Sequence, residues 1–167
     1  MSKDKIFILS IVTIALSCFQ IFGQDSDKEK IKACGTKEVN YKADTDKNQH
    51  PTPEAPADKA LVYVLRPTMM GNKVQSKVAV DGDWKGTNRG NNYFYFTVEP
   101  GEHYFCSQSE NQDYLKLTVA AGKTYYLQQK VKMGFMKART DIVAMTDEEG
   151  KKKLKDVHLS IFEVKKN

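Results

Sequence analysis

Histidine is scarce in this sequence, which limits the chemistry that can be placed on it. The three histidines are His50, His103 and His158, and none belongs to a His-x-x-x-His or Glu-x-x-His pattern. A Gly-x-Ser-x-Gly pattern is missing as well. These absences remove the common signatures of zinc metalloproteases and serine hydrolases. We interpret His103 as a strand residue and not as a general base, and we expect a protein that is not an enzyme and has no cofactor.

Charge of one sign is not concentrated anywhere in the chain. The 26 basic residues face 21 acidic ones, and the net charge of +5 is spread along the sequence. A nucleic-acid-binding protein with one dense basic patch is therefore disfavoured. Hydrophobic residues make up 40% of the 167 positions, which is enough to bury the core of one ordinary domain.

No apolar run is long enough for a comfortable transmembrane helix, which needs about 20 apolar residues. The run at residues 6–22 is interrupted by polar side chains and follows two lysines. This pattern predicts a signal peptide over residues 1–23, with the mature chain beginning at Gln24. The competing interpretation is a lipoprotein box with a lipidated Cys18. We expect an exported protein, periplasmic or secreted, and alternatively a membrane-anchored lipoprotein.

Cysteine is also rare, and two cysteines remain after the predicted signal peptide. They are Cys34 and Cys106, and the sequence has no Cys-x-x-Cys motif that would indicate redox catalysis. Two cysteines in an exported chain most often form a disulfide. We therefore favour an intrachain bridge, while two free thiols, or a Cys34 that pairs with another chain, are the alternatives.

Residues 24–59 are polar and charged, and they end in a segment with three prolines at Pro51, Pro53 and Pro56. Proline excludes helix there and favours an extended, semi-rigid spacer. We interpret residues 24–59 as a leader with little structure, and residues 60–167 as the folded domain.

The domain is predicted to be mainly β, because short apolar runs alternate with turn dipeptides. The run Leu61–Leu65 is apolar on both faces and is expected to be a central strand, which Pro67 ends. Asp81-Gly82 and Pro100-Gly101 are typical hairpin and turn pairs. The whole pattern predicts an antiparallel β-sandwich of about seven or eight strands.

One short helix is predicted near residues 147–156, towards the C-terminus. Thr146 and Glu149 form a capping box, and acidic residues lead while lysines follow. Leu154 and Val157 would face the sheet. Because this apolar face is narrow, we expect the helix on the surface.

Two Met-Gly segments each follow a predicted strand. They are Met69-Met70-Gly71 and Met133-Gly134-Phe135-Met136. If the two strands are neighbours, both segments lie at one end of the sandwich. Thioethers suit Cu(I), and they equally form a flexible apolar surface for a partner. Packing within the core or the loops is the plainer interpretation, so we expect no bound metal. If a metal did bind, its candidate ligands would be Met69, Met70, Met133 and Met136.

An aromatic run places rings on both faces of one strand. Phe94 and Phe96 are expected in the core, while Tyr93 and Tyr95 line the other face with Arg89 close in sequence. Such a face could stack on sugar rings, although filling the second face of a packed sheet is the commoner use. The predicted partner surface comprises Met69, Met70, Arg89, Tyr93, Tyr95 and Phe135.

Strand and turn motifs carry a resemblance to known families. The motifs are Val78-Ala79-Val80-Asp81-Gly82, Gly86-Thr87, Val98-Glu99-Pro100-Gly101-Glu102-His103 and Val119-Ala120-Ala121-Gly122-Lys123. This order looks like the PEGA type of surface β-sandwich. With Ala60–Pro67 in front, residues 58–155 more closely resemble the bacterial domain of unknown function 2846. The resemblance implies a bacterial envelope protein, often lipoprotein-like, without catalytic residues to carry over.

These observations lead to one expectation of function. We expect a non-enzymatic interaction or structural module of the cell envelope, which presents loops around residues 68–76, 86–92 and 133–137 to a partner. The partner would be an envelope protein or a glycan and not nucleic acid, and membrane contact would occur only through a lipid anchor. The alternative is a periplasmic protein that binds a small molecule or Cu(I) through its Met-rich loops.

Overall fold

The computed structural model describes residues 21–133 and 138–166. Within these ranges the chain forms ten strands and two helices. In chain order they are α1 (Ile21–Cys34), β1 (Tyr41–Asp46), β2 (Ala60–Arg66), β3 (Ser76–Val80), β4 (Asp83–Asn88), β5 (Asn92–Val98), β6 (Gly101–Gln108), β7 (Gln112–Val119), β8 (Thr124–Met133), β9 (Ala138–Met145), α2 (Asp147–Leu154) and β10 (His158–Val164).

The strands form two sheets that face each other as a sandwich. Sheet A has the order β1-β10-β5-β2-β8-β9, and sheet B has the order β4-β3-β6-β7. The mainly β, sandwich-like fold is confirmed, with more strands than predicted. The sheets are not purely antiparallel, because β2 runs parallel to β8 and β10 runs parallel to β5. Both parallel pairs join strands that are distant in sequence, because β3 to β7 lie between β2 and β8 in the chain and β6 to β9 lie between β5 and β10.

The core between the sheets is built from alternate residues of facing strands. Val62 and Val64 of β2 meet Val78 and Val80 of β3 there, together with Phe105 of β6. All seven residues of β2 are buried, because its other face is covered as well. The prediction of a central strand that is apolar on both faces is therefore confirmed.

The outer face of sheet A carries a tyrosine cluster, made of Tyr63, Tyr93, Tyr95 and Tyr126. Helix α2 covers one part of this cluster, and Leu154 of α2 is buried against it. The capping box at Thr146 and Glu149 is present as predicted.

The proline-rich segment, residues 50–56, covers another part of the same face. The hydroxyl of Tyr93 donates to the carbonyl of Pro51 at 3.0 Å, and that of Tyr63 donates to the carbonyl of Pro53 at 2.9 Å. The segment has no helix or strand, in agreement with its prolines. It packs against the sheet, however, and does not act as a free spacer.

The outer face of sheet B is covered by α1. Cys34 at the end of α1 forms a disulfide with Cys106 of β6, and Ala33 packs beside Ala79 and Tyr104. The bridge between the two cysteines is confirmed. The prediction of little structure in residues 24–59 is wrong, because the disulfide fixes α1 on sheet B and β1 pairs with β10 at the edge of sheet A.

Candidate functional site

Arg66, the last residue of β2, is fully buried. Its Nη1 donates to the carbonyl of Val74 at 2.6 Å, and its Nη2 donates to the carbonyls of Gly71 at 2.8 Å and Met70 at 3.1 Å. Longer contacts join Nη1 to Ser76 Oγ at 3.3 Å and to the carbonyl of Asn88 at 3.5 Å. One guanidinium therefore fixes the backbone of the segment that follows β2.

The charge of Arg66 has no carboxylate partner among the described residues. All five of its acceptors are neutral oxygens, and its Nε has no partner there. Burial lowers the pKa of Arg66 to about 10, because the apolar surroundings disfavour the charged form. A buried cation of this kind is costly unless its donors are satisfied, and here four backbone carbonyls and the Ser76 hydroxyl satisfy the donors on Nη1 and Nη2 but not the one on Nε.

A buried polar network lies beside Arg66, between the two sheets. Asn88 Nδ2 donates to Gln129 Oε1 at 3.1 Å, and Gln129 Nε2 donates to Ser107 Oγ at 2.8 Å. Ser107 Oγ lies 2.8 Å from Thr140 Oγ1. Each of these four side chains is buried. The network consists of amides and hydroxyls and includes no carboxylate or imidazole, so it can order the core but holds no general base.

The segment held by Arg66 is the methionine loop, residues 67–75. Its tip exposes Met69, which is 62% accessible, and Met70, which is 52% accessible. The φ angle of Gly71 is +58°, a conformation that glycine adopts without strain, and the turn closes when the N–H of Val74 donates to the carbonyl of Gly71 at 2.9 Å. Two apolar side chains thus stand in solvent on a backbone that a buried arginine holds in place.

The methionine loop packs against the turn between β4 and β5. The N–H of Gly90 donates to the carbonyl of Asn72 at 3.1 Å, and the N–H of Asn91 donates to the carbonyl of Thr68 at 2.9 Å. The predicted loops 68–76 and 86–92 are therefore brought together. The second is shorter than expected, because Gly86, Thr87 and Asn88 belong to β4 and are buried.

The end of β8 and the beginning of β9 adjoin the same loop. A Cβ built on Gly71 would lie 3.4 Å from Ala138 Cβ and 3.8 Å from Val131 Cγ1. Strands β2 and β8, which precede the two Met-Gly segments, are parallel neighbours with Leu65 opposite Gln128. The condition for placing both segments at one end is thus met.

The second Met-Gly segment itself is not described in the same detail. Met133, Phe135 and Met136 lie outside the residues whose side chains are described, and Cys18 lies outside the described residues altogether. Their predicted roles as ligands, partner contacts or lipidation site stay predictions.

Tyr93 does not belong to an accessible surface, so its predicted role in a partner surface is wrong. Its ring is fully buried, His50 packs on it with the ring centroids 4.9 Å apart, and its hydroxyl donates a hydrogen bond to the carbonyl of Pro51. Tyr95 is partly buried in the same cluster. Arg89 points elsewhere, since its Nη1 lies 3.4 Å from the carbonyl of Ala43 and 4.0 Å from a carboxylate oxygen of Asp44.

His103 is engaged through both ring nitrogens. Its Nδ1 lies 2.6 Å from Asp81 Oδ2, and its Nε2 lies 2.7 Å from the carbonyl of Glu99. Asp81 also accepts from the backbone N–H of Tyr104 at 2.9 Å. This arrangement ties two turns together and agrees with the interpretation of His103 as a strand residue.

Sequence reasoning missed Arg66, which it treated only as the residue before Pro67. The available signal was its position directly after five apolar residues that are buried on both faces. Among the described residues, no group of three or more His, Cys, Asp or Glu side chains is arranged to hold a metal ion. No helix in the described part is long and apolar enough to span a membrane.

Comparison with known proteins gives two matches. The family described as "Protein of unknown function (DUF2846)" matches residues 56–141. A Haemophilus influenzae protein titled "Uncharacterized protein" is 25% identical over 102 residues, which is 60% of this chain and 60% of that protein. The match thus spans about 60% of the relative's length. No solved structure matches. The likeness to the PEGA pattern stays a prediction.

Proposed function

Since the chain belongs to the DUF2846 family, whose function is unknown, we propose that it is a non-enzymatic, exported interaction module of the cell envelope. The methionine loop is its contact surface. The observation that carries this proposal is the exposure of Met69 and Met70 on a loop whose backbone is bonded to the buried Arg66. The rest of the sandwich is the scaffold that positions this loop.

Export is supported by features at both ends of α1. The apolar run with its preceding lysines has the composition of a signal peptide, and a lipidated Cys18 is the alternative. The disulfide between Cys34 and Cys106 would persist in an oxidising compartment such as the periplasm. We therefore place the protein in the periplasm or outside the cell.

The methionine loop is better suited to bind a partner than to serve only the structure of its own domain. Exposed methionines are unbranched and adaptable, so they fit the uneven surface of a partner. Because the hydrogen bonds from Arg66 already order the backbone, binding would cost less conformational entropy than it would for a free loop. Together these properties favour docking over a purely structural function.

Crosslinking in the native envelope tests this proposal. The photoreactive residue p-benzoylphenylalanine replaces Met69, Met70 or, as a control, Ile161 of β10, which is also exposed. We expect adducts from the two loop positions that are missing from the control. Adducts of equal yield and identity at all three positions, or no adducts at the loop, would contradict a docking role.

A second candidate function is Cu(I) binding, which the contact of the methionine loop with the end of β8 and the beginning of β9 favours, because Met133 is the last residue of β8. The ligands would be thioethers, which soft metal ions prefer. Anaerobic titration with Cu(I) tests it, comparing the wild type with Met69→Leu/Met70→Leu and with Met145→Leu on β9 as the control. Stoichiometric binding that only the double variant loses would support this function, whereas equal copper content in all three would exclude it.

A further inference from the structure

Side chains cap the backbone of the outer strand β9. The N–H of Thr140 donates to Asn111 Oδ1 at 2.7 Å, and its carbonyl accepts from Asn111 Nδ2 at 2.9 Å. The N–H of Ile142 donates to Asp113 Oδ2 at 2.8 Å. Proteins cover sheet edges in this way because a free row of backbone groups pairs with other chains.

The outer strands on the opposite side of the sandwich are capped in a similar way. On β1 the N–H of Thr45 donates to Asp44 Oδ1 at 2.8 Å. On β4 the carbonyl of Thr87 accepts from Ser160 Oγ at 2.8 Å. At these positions the outer strands offer no free backbone group to another chain.

One edge inside sheet A is left open. Strand β10 pairs with β5 only where His158 stands opposite Asn92 and Leu159 opposite Tyr93, although each strand has seven residues. Beyond Leu159, β10 continues to pair with β1 but not with β5. The rest of β5, up to Val98, therefore has a paired neighbour only on the side of β2.

Tyr95 and Thr97 direct their backbone groups towards this open side. The N–H of His158 donates to the carbonyl of Asn91 at 3.0 Å, so the odd-numbered residues of β5 face β10 and the even-numbered ones face β2. Since pairing with β10 ends at Tyr93, two N–H and two C=O groups of β5 have no hydrogen-bond partner in the part of the chain that the structure describes. We call these four groups the open edge.

Core side chains beside the open edge are incompletely covered. Phe94 and Val98 of β5 are buried between the sheets, but Phe96, which lies between them, is only partly buried. Phe162 of β10 is also partly buried, and its ring centroid lies 5.3 Å from that of Phe94. An additional strand at the open edge would bury more of this apolar surface, which favours its binding.

A pocket of about 250 Å³ adjoins the end of the open edge, where Thr97 forms part of its wall. Its acidic and basic lining residues are Asp81, Asp83, Glu99, Lys85 and His103. Asp81 is bonded to His103, and Glu99 pairs with Lys59 at 2.8 Å. Asp83 has no ion pair or hydrogen bond among the described residues. Three carboxylates against one lysine in the lining favour a basic side chain in this pocket.

We propose that the open edge binds an extended peptide segment of a partner protein, which adds a strand to β5. Backbone groups on alternate residues of a strand repeat every 6.7 Å or so, about twice the rise per residue. Another extended chain presents complementary groups at the same spacing, whereas a helix, a sugar or a lipid headgroup does not. The inward side chains of the peptide would be apolar over Phe96 and basic at the pocket, two residues apart.

This inference is independent of the proposed role of the methionine loop. Arg66, which precedes that loop, pairs with Asn92 at the start of β5, whereas the open edge and its pocket lie towards Val98. The two surfaces therefore belong to opposite ends of the same strand, and either can fail without the other.

Amide hydrogen exchange followed by NMR tests the open edge in the free protein with its disulfide closed. The amides of Tyr95 and Thr97 should exchange more than about tenfold faster than those of Phe94 and Phe96, which bond to β2. Equal protection of all four would overturn the inference. Protection that rises with protein concentration would show that a second copy occupies the edge, and would overturn the peptide assignment.

Peptide titration tests the occupant. The probes are acetyl-Thr-Val-Thr-Val-Thr-Lys-Thr-amide and the peptide of reverse order, which cover both strand directions. We expect one of them to slow exchange at Tyr95 and Thr97. In two matched peptides, N-methylation of either the Val and Lys amides or the Thr amides blocks one edge at a time. The peptide blocked towards β5 should bind about twentyfold more weakly, since each hydrogen bond contributes about fivefold.

Variants locate the binding on the protein. Thr97→Pro removes an open-edge N–H without removing a bond to β2 and should abolish binding. Asp83→Asn should weaken binding about threefold, as should Gln in place of the peptide's Lys, whereas Glu148→Gln on α2 should not. Circular dichroism shows that each variant is folded. No protection by either probe, full binding by both methylated peptides, or equal losses in Asp83→Asn and Glu148→Gln would overturn the assignment.

Discussion

Replacing Arg66 by methionine tests whether a buried cation without a carboxylate partner stabilises this protein. Methionine has a similar length and keeps the core filled, so the change removes the charge and the five hydrogen bonds without opening a large cavity. Two opposite results are physically reasonable. Removing the desolvation penalty would stabilise the fold, and stranding the acceptors would destabilise it.

The structure favours destabilisation. Burial lowers the pKa of Arg66 to about 10, which shows that its charge is disfavoured inside the protein. However, the carbonyls of Met70, Gly71 and Val74 have their bonds from this guanidinium at 3.1, 2.8 and 2.6 Å. The carbonyl of Gly71 would keep its bond from the N–H of Val74, but those of Met70 and Val74 would lose theirs, and a buried acceptor that is left unpaired costs about 1–3 kcal/mol. Since the loop can rearrange to hydrate some of them, we expect a net loss of about 3 kcal/mol.

Urea unfolding followed by the fluorescence of the single tryptophan, Trp84, measures this loss. The matched control is Lys73→Met, which removes an exposed cation from the same loop and should change stability by less than about 0.5 kcal/mol. Trypsin cleavage after Lys73 in native protein gives a second readout. It should become faster in Arg66→Met than global unfolding explains, because the loop has lost its anchor.

An Arg66→Met variant as stable as the wild type, or more stable, would refute this reasoning. Such a result would mean that the desolvation of the charge outweighs the hydrogen bonds, as happens for some buried ion pairs. Unchanged cleavage after Lys73 would separately show that the arginine does not order the methionine loop. The stability of Arg66→Lys should lie between that of Arg66→Met and that of the wild type, since a single ammonium group cannot reach the acceptors of both Nη1 and Nη2.

Three other predictions follow from the described contacts. Replacing Cys34 and Cys106 by serine should cost about 4 kcal/mol in urea unfolding, since the bridge closes a loop of 72 residues; a loss below about 1 kcal/mol would contradict it. Burial raises the pKa of Tyr93 from 10.0 to about 12, so the unfolded chain loses this proton first and stability falls as the pH rises from 10 to 12. Burial also raises the pKa of Tyr41, Tyr63 and Tyr126, so Tyr93→Phe should reduce this slope in unfolding curves without abolishing it, and an unchanged slope would contradict a contribution from Tyr93. Gly150→Ala should lower the melting temperature even though alanine favours helix by about 1 kcal/mol, because its Cβ would overlap the ring of Tyr126; a higher melting temperature would show that α2 can move away.

Local chemistry made the strands and turns predictable. The run Leu61–Leu65 is apolar on both faces, and it is a central strand because both faces of sheet A are covered. Asp81 and Gly82 have φ angles of +50° and +88°, as a tight hairpin turn requires. Signals of this kind are complete within a few residues, so the sequence alone contains them.

The missed elements depend on contacts that are distant in sequence. Strand β1 lies at the edge of sheet A, and its Tyr41 stands opposite Val164 of β10. In this strand the uncharged residues Tyr41, Ala43 and Thr45 alternate with charged ones. The charged residues are Lys42, Asp44 and Asp46. That alternation is typical of an edge strand with a charged outer face, and it is the signal that could have identified β1.

The tyrosine cluster shows why the prediction of Tyr93 as part of a partner surface is wrong. The alternation of side chains along β5 correctly places Phe94 between the sheets and Tyr93 on the outer face of sheet A. It does not tell what covers that outer face. The answer lies in the proline-rich segment, because prolines lack N–H groups and leave an extended chain rich in carbonyl acceptors. Buried tyrosines need acceptors for their hydroxyls, and Pro51 and Pro53 provide them at 3.0 and 2.9 Å. The segment and the tyrosines are therefore complementary, and the aromatic face that seemed free for a sugar is already occupied by the chain itself.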